Sequence, residues 1–430
     1  MKILQIASGN FFSTYGGGQV YVKNIVDEMI RRGMDVCIIS FMAQSAGVVK
    51  KEYKGHLLYE IGNECDDKII STIIDINPDI IHAHSHKSLV CRIGRQIDVP
   101  VIVTAHHGGI VCPAGTLLDC DDSICHKSVD LGNCLRCCLR NIRTGEYWYP
   151  WVRHLSLEIY LHLGHFLEGK PFIPVITPVG GIAMAIEEKK RQWSEIIEMC
   201  SLMIAPSQAM GEALTTRGLN RKKLKVVPHG VPMPAHGDLL AIKDGPIRFF
   251  YVGRICYVKG IHVLLEAFHK LKQTDVELHL IGGAGNKQEE KYMNTLYKKY
   301  CCDNRIVWHG KVPPNEIYDK IKAFHISVSS SSFLEAFGLN IAESLAMGRP
   351  VVATRCGGAE MQIKDGINGW LVPTNDVEVL RAKLDEIVCK RDCISFISGN
   401  CRNSVITIEE HCATLLNIYE EYGRTEKNTD

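Results

Sequence analysis

Short apolar runs alternating with helical periodicity set the character of this chain. Residues 2 to 8, KILQIAS, predict a buried strand, and 34 to 40, MDVCIIS, a second one. Between them Val22, Ile25, Val26, Met29 and Ile30 recur at three- and four-residue spacings, which makes one apolar helix face with Gly33 placed to end it. The alternation continues through DIIHAHS, a helix over about 86 to 97, and VIVTA at 101 to 105. It is interrupted from about 106 to 170 and resumes with the strand SLMIAPS, the helix QAMGEALTTRG and the strand KVVPHG. A second series starts at IRFFYVG, 247 to 253, and runs through ELHLIGG, IVWHG, HISVSSS and PVVAT with helices between. Short buried strands alternating with helices predict α/β domains with doubly wound parallel sheets.

The two series are separated by VPMPAHGDLLAIKDGP at 231 to 246, which is proline-rich and aperiodic and reads as a linker. A chain of 430 residues exceeds what one core normally supports. The expected domains are 1–235 and 246–405, with a cysteine-rich insert at about 107–142 in the first. A terminal helix and tail over 406–430 is expected to pack on either domain, including back on the first. Two such sheets facing each other would form a cleft at the carboxyl ends of their strands, where open α/β sheets bind ligands.

Composition narrows the functions available. Charged residues make up 23% and the net charge is +1, which gives no support to a nucleic-acid partner. No apolar run approaches the roughly 20 residues needed to span a bilayer. MKILQIAS leads from one lysine straight into a strand and reads as no leader peptide, so a cytoplasmic location is expected.

The chemistry-bearing residues fall just after strands. Arg254 and Lys259 follow FFYVG, and Lys259-Gly260 opens a helix, which suits a loop that holds phosphate. Glu335 and Glu343 lie eight apart. On one continuous helix they would be about 12 Å apart along the axis and rotated by about 80°. A turn at Phe337-Gly338-Leu339 instead puts Glu335 in a loop and Glu343 in the first turn of a helix starting near Asn340. The N–H groups of Gly338, Leu339 and Asn340 would then face an anion such as a diphosphate. Gly16, Gly17 and Gly18 allow close backbone approach to a phosphate, but their spacing does not match the dinucleotide fingerprint, which disfavours a nicotinamide oxidoreductase. His106 ends a strand at the mouth of the expected cleft. His82, His84 and His86 alternate along a strand edge and would share one face.

These residues resemble the retaining glycosyltransferases of family four, in the subset with a cysteine-bearing insert. The motifs are GRICYVKG, SSFLEAFGLNIAESLAMGRPVVAT, GGAEMQIKDGINGWLVP, the N-terminal glycine loop and VIVTAHH. The resemblance implies the GT-B fold, an acceptor-side first domain, a donor-binding second domain, and a nucleoside diphosphate sugar as donor. It implies that Arg254 and Lys259 hold the diphosphate, Glu335 binds donor-sugar hydroxyls and Glu343 binds the ribose. Gly17 and Gly18 would lie over the diphosphate and His106 near the transferred sugar. A catalytic metal is not required, and the acceptor is a saccharide or lipid-linked molecule, as in polysaccharide or glycolipid biosynthesis. Alternatives of the same architecture are a nucleotide-sugar epimerase, a phosphorylase, for which no pyridoxal-phosphate lysine context is evident, and a non-catalytic sugar-nucleotide-binding module.

Six of the 18 cysteines are concentrated in the insert: Cys112, Cys120, Cys125, Cys134, Cys137 and Cys138. Cys134-x-x-Cys137 is a zinc-knuckle spacing. A structural zinc on Cys112, Cys125, Cys134 and Cys137, with Cys120 and Cys138 as substitutes, stands beside a set of free thiols or one disulfide. The stretch 146 to 172 interleaves aromatic and basic residues, which suits either helix core or peripheral contact with the inner face of a membrane.

Overall fold

The computed structural model describes all residues except 8–10, 13–15, 43–46, 63–65, 141–149, 151, 157, 160–161, 163–175, 236–244 and 424–430. Most of the aromatic stretch 146 to 172 therefore lies outside the described residues. The chain forms two compact units, and the division does not follow chain order.

The first unit contains Met1–Asn10, Met34–Val226 and Tyr419–Asp430. Its sheet is built from β1 (Lys2–Ala7), β2 (Asp35–Phe41), β3 (Val48–Tyr53), β4 (His56–Ile61), β5 (Ile80–Ala83), β6 (Val101–Thr104), β7 (Leu202–Ala205) and β8 (Leu224–Val226). The order is β3-β4-β2-β1-β5-β6-β7-β8. Every pairing is parallel except β3 with β4, a hairpin closed by Lys54 and Gly55 at φ 50° and 83°. The central strands are largely apolar and mostly buried, as a parallel sheet covered by helices requires. Edge strand β3, VVKKEY, is exposed almost throughout, and its lysines keep that edge in water.

The second unit contains Phe11–Gly33 and Val227–Ile418. Its sheet is all parallel, from β9 (Ile247–Val252), β10 (Val276–Ile281), β11 (Ile306–Gly310), β12 (Ile326–Ser329), β13 (Val351–Thr354) and β14 (Gly369–Val372), in the order β11-β10-β9-β12-β13-β14. Phe249, Leu264, Phe268, Leu278 and Val328 lie in its main core.

The sequence reading placed all of 1–235 in one domain, whereas helix Gly17–Arg31 groups with the second unit. Tyr21 Oη is 2.8 Å from His411 Nε2, the Tyr21 ring lies 3.9 Å from that of His229, and Arg32 donates to the Glu409 carbonyl at 2.6 Å. The terminal helix, expected near 408 to 422, spans Ile408–Tyr422.

Each sheet has a point where the strand order reverses: between β1 and β5 in the first unit and between β9 and β12 in the second. The loops leaving the carboxyl ends of strands on either side of such a point diverge and leave a crevice between them.

Candidate active site

At the reversal point of the second unit, the loop after β9 meets the loop after β12. The β9 loop forms a short 3₁₀ turn over Tyr257–Lys259 and then reverses at Gly260, at φ 64°, into helix Ile261–His269. A β-carbon on Gly260 would lie 1.9 Å from the Ser330 carbonyl oxygen, so only glycine allows this approach. The serines after β12 hold the turn from the other side. Ser330 Oγ donates to the Lys259 carbonyl at 3.0 Å, and Ser332 donates to the Val258 carbonyl through both its N–H and its hydroxyl.

This packing delivers Lys259 to Glu335, 76 positions away. Lys259 Nζ donates to Glu335 Oε2 at 2.5 Å, and Ser331 Oγ donates to the same oxygen at 3.0 Å. The two side chains are 18% and 13% exposed, so the pair is largely shielded yet reachable from solvent. Glu335 is fixed from behind as well: its N–H donates to the Cys356 carbonyl and its own carbonyl accepts from Gly358 N–H, both at 2.8 Å. Burial first, and the Glu335 charge second, push the Cys356 thiol up to about 12, so it is no nucleophile at neutral pH.

Arg254 leaves the same β9 loop. Its guanidinium is 55% exposed and sits 3.4 Å from Glu289, while Tyr251 Oη clamps the Arg254 carbonyl at 2.8 Å. The backbone is anchored and the cation remains accessible.

Gly338, at φ 85°, opens helix Leu339–Ala346, with Leu339 and Asn340 as its first two residues. Glu343 is therefore the fifth residue and stands past the first turn, where the sequence reading had placed it. Its environment is set by burial and not by the helix start. Burial alone pushes its carboxyl up to about 7. Its charge adds to the burial that raises the Tyr318 phenol. A β-carbon on Gly17 would lie 3.4 Å from Leu339 Cδ1, so the start of helix Gly17–Arg31 packs beside the start of helix Leu339–Ala346. Gly17, Gly338, Leu339 and Asn340, remote in sequence, are thus neighbours. Gln362 binds the carbonyls of Phe337, Gly338 and Gly358 through its amide nitrogen and holds this loop. Neither Gln362 nor Ser331 was picked out by the sequence. The run SVSSSS was the one signal, four consecutive serines where a loop needs short donors.

In the first unit, His106 follows β6 and begins a buried hydrogen-bond chain. His106 Nε2 is 2.9 Å from His84 Nδ1, and His84 Nε2 is 2.9 Å from Gln5 Oε1. The Gln5 amide donates to Tyr419 Oη at 3.1 Å, which lies 2.6 Å from His82 Nδ1, and His82 Nε2 is 2.7 Å from Thr104 Oγ1. Both nitrogens of His82 and of His84 are engaged in hydrogen bonds, which removes them as metal ligands. The expectation that His82, His84 and His86 share one face fails at His86. The strand ends at Ala83, and His86 sits left-handed at φ 47°, stacked on Phe41 at 3.8 Å.

This is the architecture of two Rossmann-like parallel-sheet domains, the GT-B class. Over 98% of this chain and 99% of the other, the fold superposes on Anabaena HepE in complex with UDP and glucose, with a TM-score of 0.68 at 16% identity. It likewise matches the sucrose-phosphate synthase of Thermosynechococcus elongatus, with a TM-score of 0.68, 16% identity and coverage of 98% and 99%. Residues 238–393 match the family described as glycosyl transferases group 1, and residues 15–117 match glycosyltransferase family 4. The two matches cover separate parts of the chain, each less than half of it, and the chain is similar to both families. Among curated relatives, the putative colanic acid biosynthesis glycosyltransferase WcaL of Salmonella typhimurium is 28% identical over 223 residues, 50% of this chain and 53% of that protein. The lipopolysaccharide 1,6-galactosyltransferase of the same organism is 26% identical over 266 residues, 58% of this chain and 71% of that protein. The chain spans about half the length of the first curated relatives it matches.

Proposed function

We propose that this protein is a retaining glycosyltransferase that moves a glycosyl group from a nucleoside diphosphate sugar to a saccharide or lipid-linked acceptor. The observation that carries this reading is the Lys259–Glu335 pair at the strand-order reversal of the second unit, with the exposed Arg254 guanidinium on the same loop. A diphosphate bound there takes over the Lys259 ammonium and draws in Arg254. Glu335, relieved of its partner, accepts hydrogen bonds from the sugar hydroxyls. Glu343 accepts from the ribose, and the clustered N-termini at Gly17 and at Gly338 to Asn340 face the phosphates, with Gly18 beside Gly17.

In the reaction the bond from the anomeric carbon to the diphosphate oxygen breaks, and a bond from that carbon to the acceptor oxygen forms on the same face. The acceptor proton passes to the departing phosphate. Negative charge grows on the diphosphate, so fixed cations at Lys259 and Arg254 stabilise the transition state more than the bound donor. Neither glutamate is assigned as nucleophile or general base. His106, which is within hydrogen-bond distance of His84, is assigned by the resemblance to the transferred sugar, and this reading keeps that assignment. No catalytic metal enters the scheme. The likeness to glycosyltransferase families and the relatives' names favour a saccharide acceptor in a surface-polysaccharide class. No helix among the described residues is long and apolar enough to cross a membrane, and contact with a lipid-linked acceptor would be peripheral.

The test is a panel of nucleoside diphosphate sugars incubated with saccharide acceptors, followed by nucleotide release and the anomeric proton of the product by NMR. Transfer with the donor's anomeric configuration supports the reading. Inverted product overturns retention, tight donor binding without turnover turns the protein into a binding module, and interconversion of the donor sugar makes it an epimerase.

A further inference from the structure

The cysteine insert stands apart from the chemistry above and has its own architecture. Helix Leu131–Arg140 buries Leu135 and Leu139 against Ala183 of helix Ile176–Met199. The adjacent helix face carries Cys134, Cys137 and Cys138, spaced by three and four residues. Against that face lies a hairpin closed by an antiparallel bridge between Leu118 and Ile124. Asp119 Oδ1 accepts from the N–H groups of Asp121 and Ser123 at 2.9 and 3.0 Å, which shapes a tight turn. Cys120 lies in that turn and Cys125 on its exit.

Hairpin and helix are tied at both ends. Arg140 forms two 3.0 Å bonds to the Asp122 carboxylate and a third to the Cys120 carbonyl. Arg217 donates to the Cys125 carbonyl at 2.6 Å. These contacts set two cysteines of the hairpin, spaced C-x₄-C, opposite two of the helix, spaced C-x₂-C. Cys120 Sγ and Cys137 Sγ are 3.5 Å apart. That is far beyond a disulfide length of about 2.0 Å. It is close to the edge of a sulfur tetrahedron around zinc, about 3.8 Å for Zn–S bonds of about 2.3 Å. Among the described residues no three potential ligands have closed to metal-binding distance. Staggered rotamers of a cysteine place its sulfur about 3 Å apart, so these thiols can change their separation without moving the backbone. A segment this short has little apolar surface of its own, and a metal is one of the few staples open to it.

We propose that Cys120, Cys125, Cys134 and Cys137 bind one zinc ion as a tetrathiolate that staples the hairpin to the helix. In this proposal Cys120, which meets Cys137, takes the place that the sequence reading gave to Cys112, and Cys112 and Cys138 are left outside the ligand set.

The full chain, purified without chelator from zinc-supplemented cells, is assayed by elemental analysis and then exchanged with cobalt(II). The expected result is about one zinc per chain, and a cobalt form with sulfur charge-transfer bands and the strong visible bands of a tetrahedral tetrathiolate. C120S and C137S should lose the metal, while C112S, C138S and the remote C301S/C302S should retain it. Should the cysteine variants fail to fold, chelation of the wild type supplies the second readout: proteolysis should open first within 112 to 140. Metal-free protein with all six thiols alkylatable, a Cys120–Cys137 disulfide in the native peptide map, metal lost in C112S but kept in C120S, or a chelator-treated insert no more cleavable than before would each overturn the proposal.

Discussion

Glu343 converts burial into a pH dependence that can be measured. Burial raises its carboxyl from the usual 4.5 to about 7. At about 1.4 kcal/mol per unit the shift amounts to about 3 kcal/mol, an upper bound because part of the side chain remains exposed. The folded protein holds this proton more tightly than the unfolded chain does. The associated stability is therefore complete below about pH 4.5 and lost as pH rises through about 7. Glu343→Gln keeps the shape and removes the titration. Urea unfolding of both proteins from pH 5 to 8.5 should show the wild type losing up to about 3 kcal/mol relative to E343Q over that interval. Donor binding should run the other way. In the proposed donor site a ribose hydroxyl donates to the ionised carboxylate, so nucleotide affinity should rise with pH up to about 7.5. Calorimetry in buffers of differing ionisation enthalpy should then register proton release. Parallel stability profiles of the two proteins, with no proton released on binding, would refute the reasoning.

Three further outcomes are expected. Lys259→Met should cut turnover by about 10²- to 10³-fold, the scale of one lost preorganised donor, with kcat falling more than donor affinity; near-normal turnover in folded K259M would remove the proposed role. Gly260→Ala should destabilise the fold severely, because its β-carbon meets the Ser330 carbonyl, whereas Gly366→Ala, at φ 75° with open space around it, should cost only about 1–2 kcal/mol in the same urea titration. Tyr419→Phe removes the hydroxyl bridging His82 and Gln5 and should lower stability by about 1–3 kcal/mol, read from denaturant midpoints.

Periodicity carried much of this fold because the central strands are largely apolar. The run 247 to 253 became Ile247–Val252, and 408 to 422 became Ile408–Tyr422. The hairpin of β3 and β4 escaped because VVKKEY is an edge strand whose residues face water and show no buried pattern. Helices Val377–Cys389 and Asp392–Cys401 also went unnamed; in the first, the buried Leu380, Leu384 and Ile387 are embedded among charges, and in the second the buried Ile394 and Ile397 stand among small and polar residues. Candidate residues were visible as types after strands, but their relations were not. Lys259 meets Glu335 only because Gly260 and the serines of 330 to 332 bring two distant loops together. The burial of Glu343 likewise depends on packing that no local spacing encodes. Neighbouring histidines mislead for the converse reason: His82 and His84 share the buried network, while a single left-handed residue turns His86 away.

The Lys259–Glu335 ion pair has a consequence for ligand choice. Lys259 and Glu335 already satisfy each other, so a newcomer must compensate both when it separates them. Inorganic phosphate would occupy the lysine and strand a shielded carboxylate, and a free sugar would serve the carboxylate and strand the ammonium. Either exchange leaves one charge without a partner, which is costly at a site this dry. A molecule joining anion and hydroxyls at the right separation replaces both partners at once. In the proposed function the pair would thus work as a coincidence detector, keeping common metabolite fragments out while admitting their conjugate.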